Sequence, residues 1–149
     1  MKKQKLEELF DQLFMETRER KEVKLMATFS EENFPTIAMV ETRRGRDWEE
    51  STPSRTKINL CRFKTELKNL GKDEFFVLGR LPECDFRPEL EEVVECFKNH
   101  DKKDAEKDAE YYYLRNCRNV SRVHAIIKKN DDGSYNLYDC SLAGTVIVF

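Results

Sequence analysis

The stretch NVSRVHAIIKK, residues 119–129, places Ser121, Arg122 and His124 within four positions, directly ahead of an apolar run. Nucleophilic catalysis is one chemistry those types could do, with Ser121 as nucleophile, His124 as base and Asp139 as the group that orients it. That mechanism needs an exposed nucleophile and donors for an oxyanion. The chain has no GxSxG elbow, and a Ser and a His three apart at the start of a strand face different ways. The chain is therefore expected not to be an enzyme. A metal centre is expected to be absent too, and no cofactor is implied: Cys96 and His100 form a single half-pair, and the other cysteines lack ligand spacing. What remains is anion binding, because a hydroxyl beside a guanidinium suits phosphate oxygens.

Composition limits the partners. The 149 residues are long enough for one domain with a core. Charged residues make up 38% and hydrophobic ones 39%, so the surface must be densely ionic. A net charge of −2 gives no bulk attraction to nucleic acid or to a membrane surface, and neither is expected as a partner. The cysteines Cys61, Cys84, Cys96, Cys117 and Cys140 are odd in number and contain no CxxC, which fits a reducing compartment, nuclear or cytoplasmic. No apolar run approaches the roughly 20 residues that cross a bilayer.

The elements that must position the Ser121 region are read from periodicity. Leu6, Leu9, Phe10, Leu13 and Phe14 recur at i, i+3, i+4, i+7 and i+8, which predicts an amphipathic helix within residues 2–22. Its stripe is too short for a coiled-coil seam and is expected to lie as a lid on its own domain. PTIAMVET, TKINLCRF, EFFVLGR, YYYLRN, VHAIIKK, SYNLYDC and TVIVF are short β-branched and aromatic runs that predict strands. Between the first two lies RRGRDWEESTPSRT, a predicted polar loop whose Thr52-Pro53 has the pattern of a proline-directed phosphorylation site but is expected to be an ordinary polar turn. NDDGS, residues 130–134, predicts a hairpin turn, with Gly133 supplying positive φ.

One segment does not read as sheet. Pro88 suits a first helical position, and Leu90, Val93, Val94 and Phe97 repeat the helical stripe, expected to serve as core cover. The charged NHDKKDAEKDAE that follows reads as a solvated helix end or loop. The expected organisation is an N-terminal helical unit over 1–30 and a mainly β domain over 31–149, with a helical insertion at about 87–112.

Four landmarks then fall in one order: FVLGR at 76–80, SRVHA at 121–125, YNLYD at 135–139 and SLAGT at 141–145. Together they resemble the forkhead-associated domain, an antiparallel β-sandwich of the FHA/SMAD-like class that binds phosphothreonine peptides in signalling. The resemblance covers about residues 35–149 outside the insertion. It implies that Arg80 and Ser121 hold the phosphate with help from Arg122, and that Leu142 and Ala143 lie against the peptide. It implies structural support from Gly79, which lets its loop turn closely, from His124 as a brace, and from Gly144 and Thr145 beside the pocket.

The chain departs from the family pattern at two places. Ala143 stands where the family carries an Asn that holds the peptide backbone, and Leu142 stands where a polar residue is common. Each lost hydrogen bond is worth about 0.5–1.5 kcal/mol net. The family also continues through further strands after its Gly-Thr, whereas here the sequence ends four residues later, at Phe149. An uncovered sheet edge is expected there, to be covered by a helix or a second copy. Two readings follow: a phosphothreonine-dependent interaction module, or a scaffold on a degenerate domain of this fold that dimerises through its N-terminal helix or open edge.

Overall fold

A computed structural model describes residues 1–18, 22–42, 51–99 and 104–149. Among the described residues four α-helices and seven strands occur in the order α1 (Lys3–Thr17), β1 (Lys24–Phe29), β2 (Thr36–Thr42), β3 (Ser51–Asn59), α2 (Lys64–Lys68), β4 (Phe75–Leu78), α3 (Leu90–Cys96), α4 (Ala105–Asn116), β5 (Ala125–Lys129), β6 (Tyr135–Asp139) and β7 (Thr145–Val148). The strands form two antiparallel sheets, one of four strands in the order β1-β6-β5-β4 and one of three in the order β3-β2-β7. Helices hold about as many residues as strands, so the fold is mixed rather than mainly β.

The central strands show why their sequences are continuously apolar. Along β4, Phe76 and Leu78 join a core fed by both sheets, while Phe75 and Val77 face the opposite way. In β5, Ala125 and Ile127 enter that first core and Ile126 the second. A strand covered on both faces has no polar side, so its alternation is lost to view in the sequence. The first core adds Phe29, Ile37, Met39, Ile58, Tyr135 and Leu137, with Phe29 stacked on Tyr135 at 5.3 Å between ring centroids.

Helix α1 covers the second face. Leu6, Leu9 and Leu13 are buried against Val77, Val123, Ile126 and Cys140, with Phe10 partly buried beside them. The stripe is thus spent within the chain, as a lid needs, and is not left for a partner helix. Phe14, at its edge, stays exposed.

Several expectations are corrected. YYYLRN is not a strand: it forms the second half of α4, because Ala109 and Tyr113, one turn apart, pack with Val93 of α3 in a small core of their own. Acidic Glu106 and Asp108 in the first turn and Arg115 in the last complement the helix dipole. The insertion therefore extends past 112 to Asn116, and its α3 stripe covers α4 rather than the sheets. Pro88 lies two residues ahead of α3, in a turn completed by Glu89 at φ 68°.

Lys24–Phe29, within the 1–30 unit expected to be helical, is a strand paired with β6. TKINLCRF leaves the sheet after Asn59, whose side chain accepts from the Cys61 N–H and opens a 3-10 turn, Leu60–Phe63. STPSRT lies in β3, with Thr52 opposite Glu41 and Pro53 opposite Val40. The rest of that loop, 43–50, and His100 to Lys103 of the charged run lie outside the described residues. The NDDGS turn closes the β5–β6 hairpin, with Gly133 at φ 88°.

Candidate functional site

Three connections meet at one end of the four-stranded sheet: residues 79–89 after β4, 117–124 ahead of β5, and 140–144, which carry the chain from β6 in one sheet to β7 in the other. Ser121 is their junction. Its carbonyl accepts from the Arg80 N–H at 3.0 Å, and its Oγ accepts from the Leu142 N–H at 3.1 Å. Ser121 is 7% exposed. One short polar residue therefore ties all three loops.

His124 is fully buried and accounts for the geometry around that junction. Its Nδ1 accepts from the Ser121 N–H at 3.0 Å, so the neutral ring carries its proton on Nε2, which meets Thr145 Oγ1 at 3.0 Å. Thr145 Oγ1 then donates to Asp139 Oδ1 at 3.0 Å. The same carboxylate oxygen accepts from the Ser141 N–H and Oγ at 3.1 and 2.7 Å, and Ser141 Oγ accepts from the Gly144 N–H at 2.9 Å. A single chain of hydrogen bonds thus runs from the β5 loop through the β6–β7 loop. Networks of this kind rigidify when every member is satisfied. A catalytic Ser–His–Asp relay is not formed: His124 uses its ring nitrogens on the Ser121 backbone and on Thr145, and the Asp139 oxygen is taken by hydroxyls and an amide.

Gly79 is required by close approach rather than by φ. A Cβ there would lie 2.3 Å from the Arg122 carbonyl oxygen and 2.9 Å from Cys84 Sγ. Gly144 is required by φ, at 106°, and its carbonyl accepts from the Val40 N–H in the other sheet. Ala143 is half-buried in the same loop, and Leu142 is 82% exposed beside Ser121.

The cationic side chains are distributed less simply. Arg80 stands next to Ser121 by its backbone, yet its Nη1 donates to the Leu114 carbonyl in α4, and its Nε is buried with no acceptor among the described residues. Arg122 pairs with Glu16 of α1. Burial, then the like charge of Arg122, push the Arg80 guanidinium below its ordinary value, and Arg118 acts in the same direction. Arg118, exposed in the turn after α4, is a cation the landmark reading misses. The signal was present in RNCRNVSR, where Arg115 in the last turn of α4 is followed by Arg118 and Arg122 in the connection to β5. Neither Arg80 nor Arg118 has a carboxylate partner among the described residues.

Among the described residues no group of three or more His, Cys, Asp or Glu is placed to hold a metal ion, and no helix is long and apolar enough to cross a membrane. No protein-family model, curated protein or solved structure matches the chain.

Proposed function

We propose that the chain is a phosphothreonine-binding module of forkhead-associated type, a β-sandwich that recognises phosphorylated partner proteins and performs no chemistry on them. The observation that carries this reading is the convergence on Ser121 of the Arg80 and Leu142 loops, beside Arg80 and Arg118, neither of which has a carboxylate partner among the described residues, and Arg122, which pairs with Glu16. A phosphate brings up to two negative charges and three acceptor oxygens to such a place. The core shared by the two sheets supports the sandwich, and the His124–Thr145–Asp139 chain supports the role of His124 as a brace. Arg80 and Ser121 then hold the phosphate, Arg122 and Arg118 add charge, and Leu142 and Ala143 meet the peptide. Loss of the asparagine at Ala143 leaves a grip on phosphate with little hold on peptide backbone. A nuclear or cytoplasmic site of action fits such a module.

The deciding experiment is titration with a degenerate phosphothreonine peptide library beside its unphosphorylated counterpart. Micromolar binding of the phosphorylated library, abolished in Arg80→Ala and reduced in Ser121→Ala, is expected. Equal binding of both libraries overturns the proposal.

A scaffold that no longer depends on phosphate is the second reading, favoured by the engagement of Arg80 with Leu114 and of Arg122 with Glu16. With the α1 stripe buried, its surface would be the β7 edge, where Val146 and Val148 are exposed. A dimer that survives Arg80→Ala and is lost in Val148→Lys supports this reading, and a monomer at high concentration removes it.

A further inference from the structure

Arg80 is the side chain on which the phosphate reading depends, and the inserted helices already hold it at both ends. Its guanidinium Nη1 donates to the Leu114 carbonyl, near the C-terminal end of α4, where unpaired carbonyls and the helix dipole favour a cation. Its backbone carbonyl accepts from Arg87 Nε at 3.0 Å and Nη2 at 2.9 Å. Arg87 in turn forms a two-pronged pair with Glu110, Nη1 to Oε2 at 2.7 Å and Nη2 to Oε1 at 2.5 Å. Glu110 and Leu114 are one turn apart on α4, so a single side of that helix clamps both the main chain and the side chain of Arg80. Tyr113 completes the clamp, its ring under the Arg87 guanidinium at 5.1 Å and its hydroxyl on the Pro88 carbonyl at 2.6 Å.

The clamped state leaves one donor unmet. Arg80 Nε is buried with no acceptor among the described residues, and a buried unsatisfied donor is destabilising. Geometry of this kind marks a side chain held where it is not best satisfied.

We infer that the α3–α4 insertion is a lock on the phosphate site: α4 holds the Arg80 guanidinium on the Leu114 carbonyl, and an arriving phosphate must draw it away. The lock rests on the phosphate reading above. The competition is between a neutral carbonyl and a dianion, and only the dianion offers the guanidinium opposite charge and a two-pronged geometry. Phosphate therefore wins, but the apparent affinity falls by the fraction of molecules in which Arg80 is released. The Arg87–Glu110 pair sets that fraction without touching the phosphate.

The test uses the full chain and the same pair of peptide libraries, with Glu110→Gln and Arg87→Lys as variants that weaken the clamp. Both variants are expected to bind the phosphorylated library about three- to tenfold more tightly than the unmodified chain, a gain of up to about 1.4 kcal/mol. Saturating phosphopeptide is expected to speed amide exchange in the last turn of α4 while β5 amides stay protected. Equal affinities with unchanged exchange overturn the lock and leave the phosphate reading standing. Weaker binding by both variants overturns it as well, because the insertion would then support the site. Preference for phosphate in no form of the chain removes the phosphate reading and the lock together. Protection of β5 amides establishes that each variant is folded, and Arg87→Lys decides the question if Glu110→Gln does not fold.

Discussion

At the scale of single residues, the candidate site rests on backbone approach and on one buried imidazole. Gly79 sits so close to the Arg122 carbonyl that even a methyl group must displace a loop. Gly79→Ala is expected to cost about 1–3 kcal/mol, the usual range for overpacking, read as a lower urea midpoint at unchanged slope. Thr145 carries the hydroxyl that joins His124 Nε2 to Asp139. Thr145→Val keeps the shape, removes the hydroxyl from both of these hydrogen bonds, and is expected to lose about 1–3 kcal/mol in the same measurement. Both positions were legible in the sequence as members of short motifs. Their physical roles were not, because a close contact and a shared proton belong to pairs of residues.

Elements differ in how far their sequences specify them. Helix α1 was readable because one face meets one apolar surface, and its period survives in the sequence. Leu9, buried under that helix against the four-stranded sheet, tests the lid directly: Leu9→Ala is expected to cost about 2–5 kcal/mol by denaturant unfolding. YYYLRN carries a misleading signal because three tyrosines favour strands in isolation, whereas Tyr113 is held in a helix by packing on α3 and donating to the Pro88 carbonyl. Lys24–Phe29 carries no strand signal for the opposite reason. Its side chains are mostly exposed at a sheet edge, so no alternation of apolar residues announces it.

For the whole molecule, burial of ionisable groups sets the response to alkali. Desolvation pushes the Cys84 thiol from 9.0 up to about 12 and the Cys117 thiol up to about 11, and raises Tyr113 in the same way. Below about pH 8 these groups are neutral in both folded and unfolded chains. Between about pH 9 and 12 the unfolded chain releases protons that the folded chain retains, so stability falls as pH rises through that window. Urea midpoints are expected to be level near neutral pH and to drop progressively above pH 9. Replacing Cys84 with Ala is expected to flatten part of that decline. A decline of the same steepness in Cys84→Ala would remove Cys84 as its source.

The sequence by itself determined what repeats locally: the α1 stripe, the apolar runs of β2 and β4 to β7, the NDDGS turn, and the order of the motifs around Gly79, Ser121 and Gly144. Each is set by the period of a backbone or by the φ that one residue must adopt. Only the tertiary structure decided where the long cationic side chains end. Arg80 reaches a carbonyl 34 positions away, and Arg122 a carboxylate 106 positions away. A guanidinium on a flexible stem is directed by whatever acceptor the fold brings within reach, and neighbouring residues in the chain carry no record of that choice.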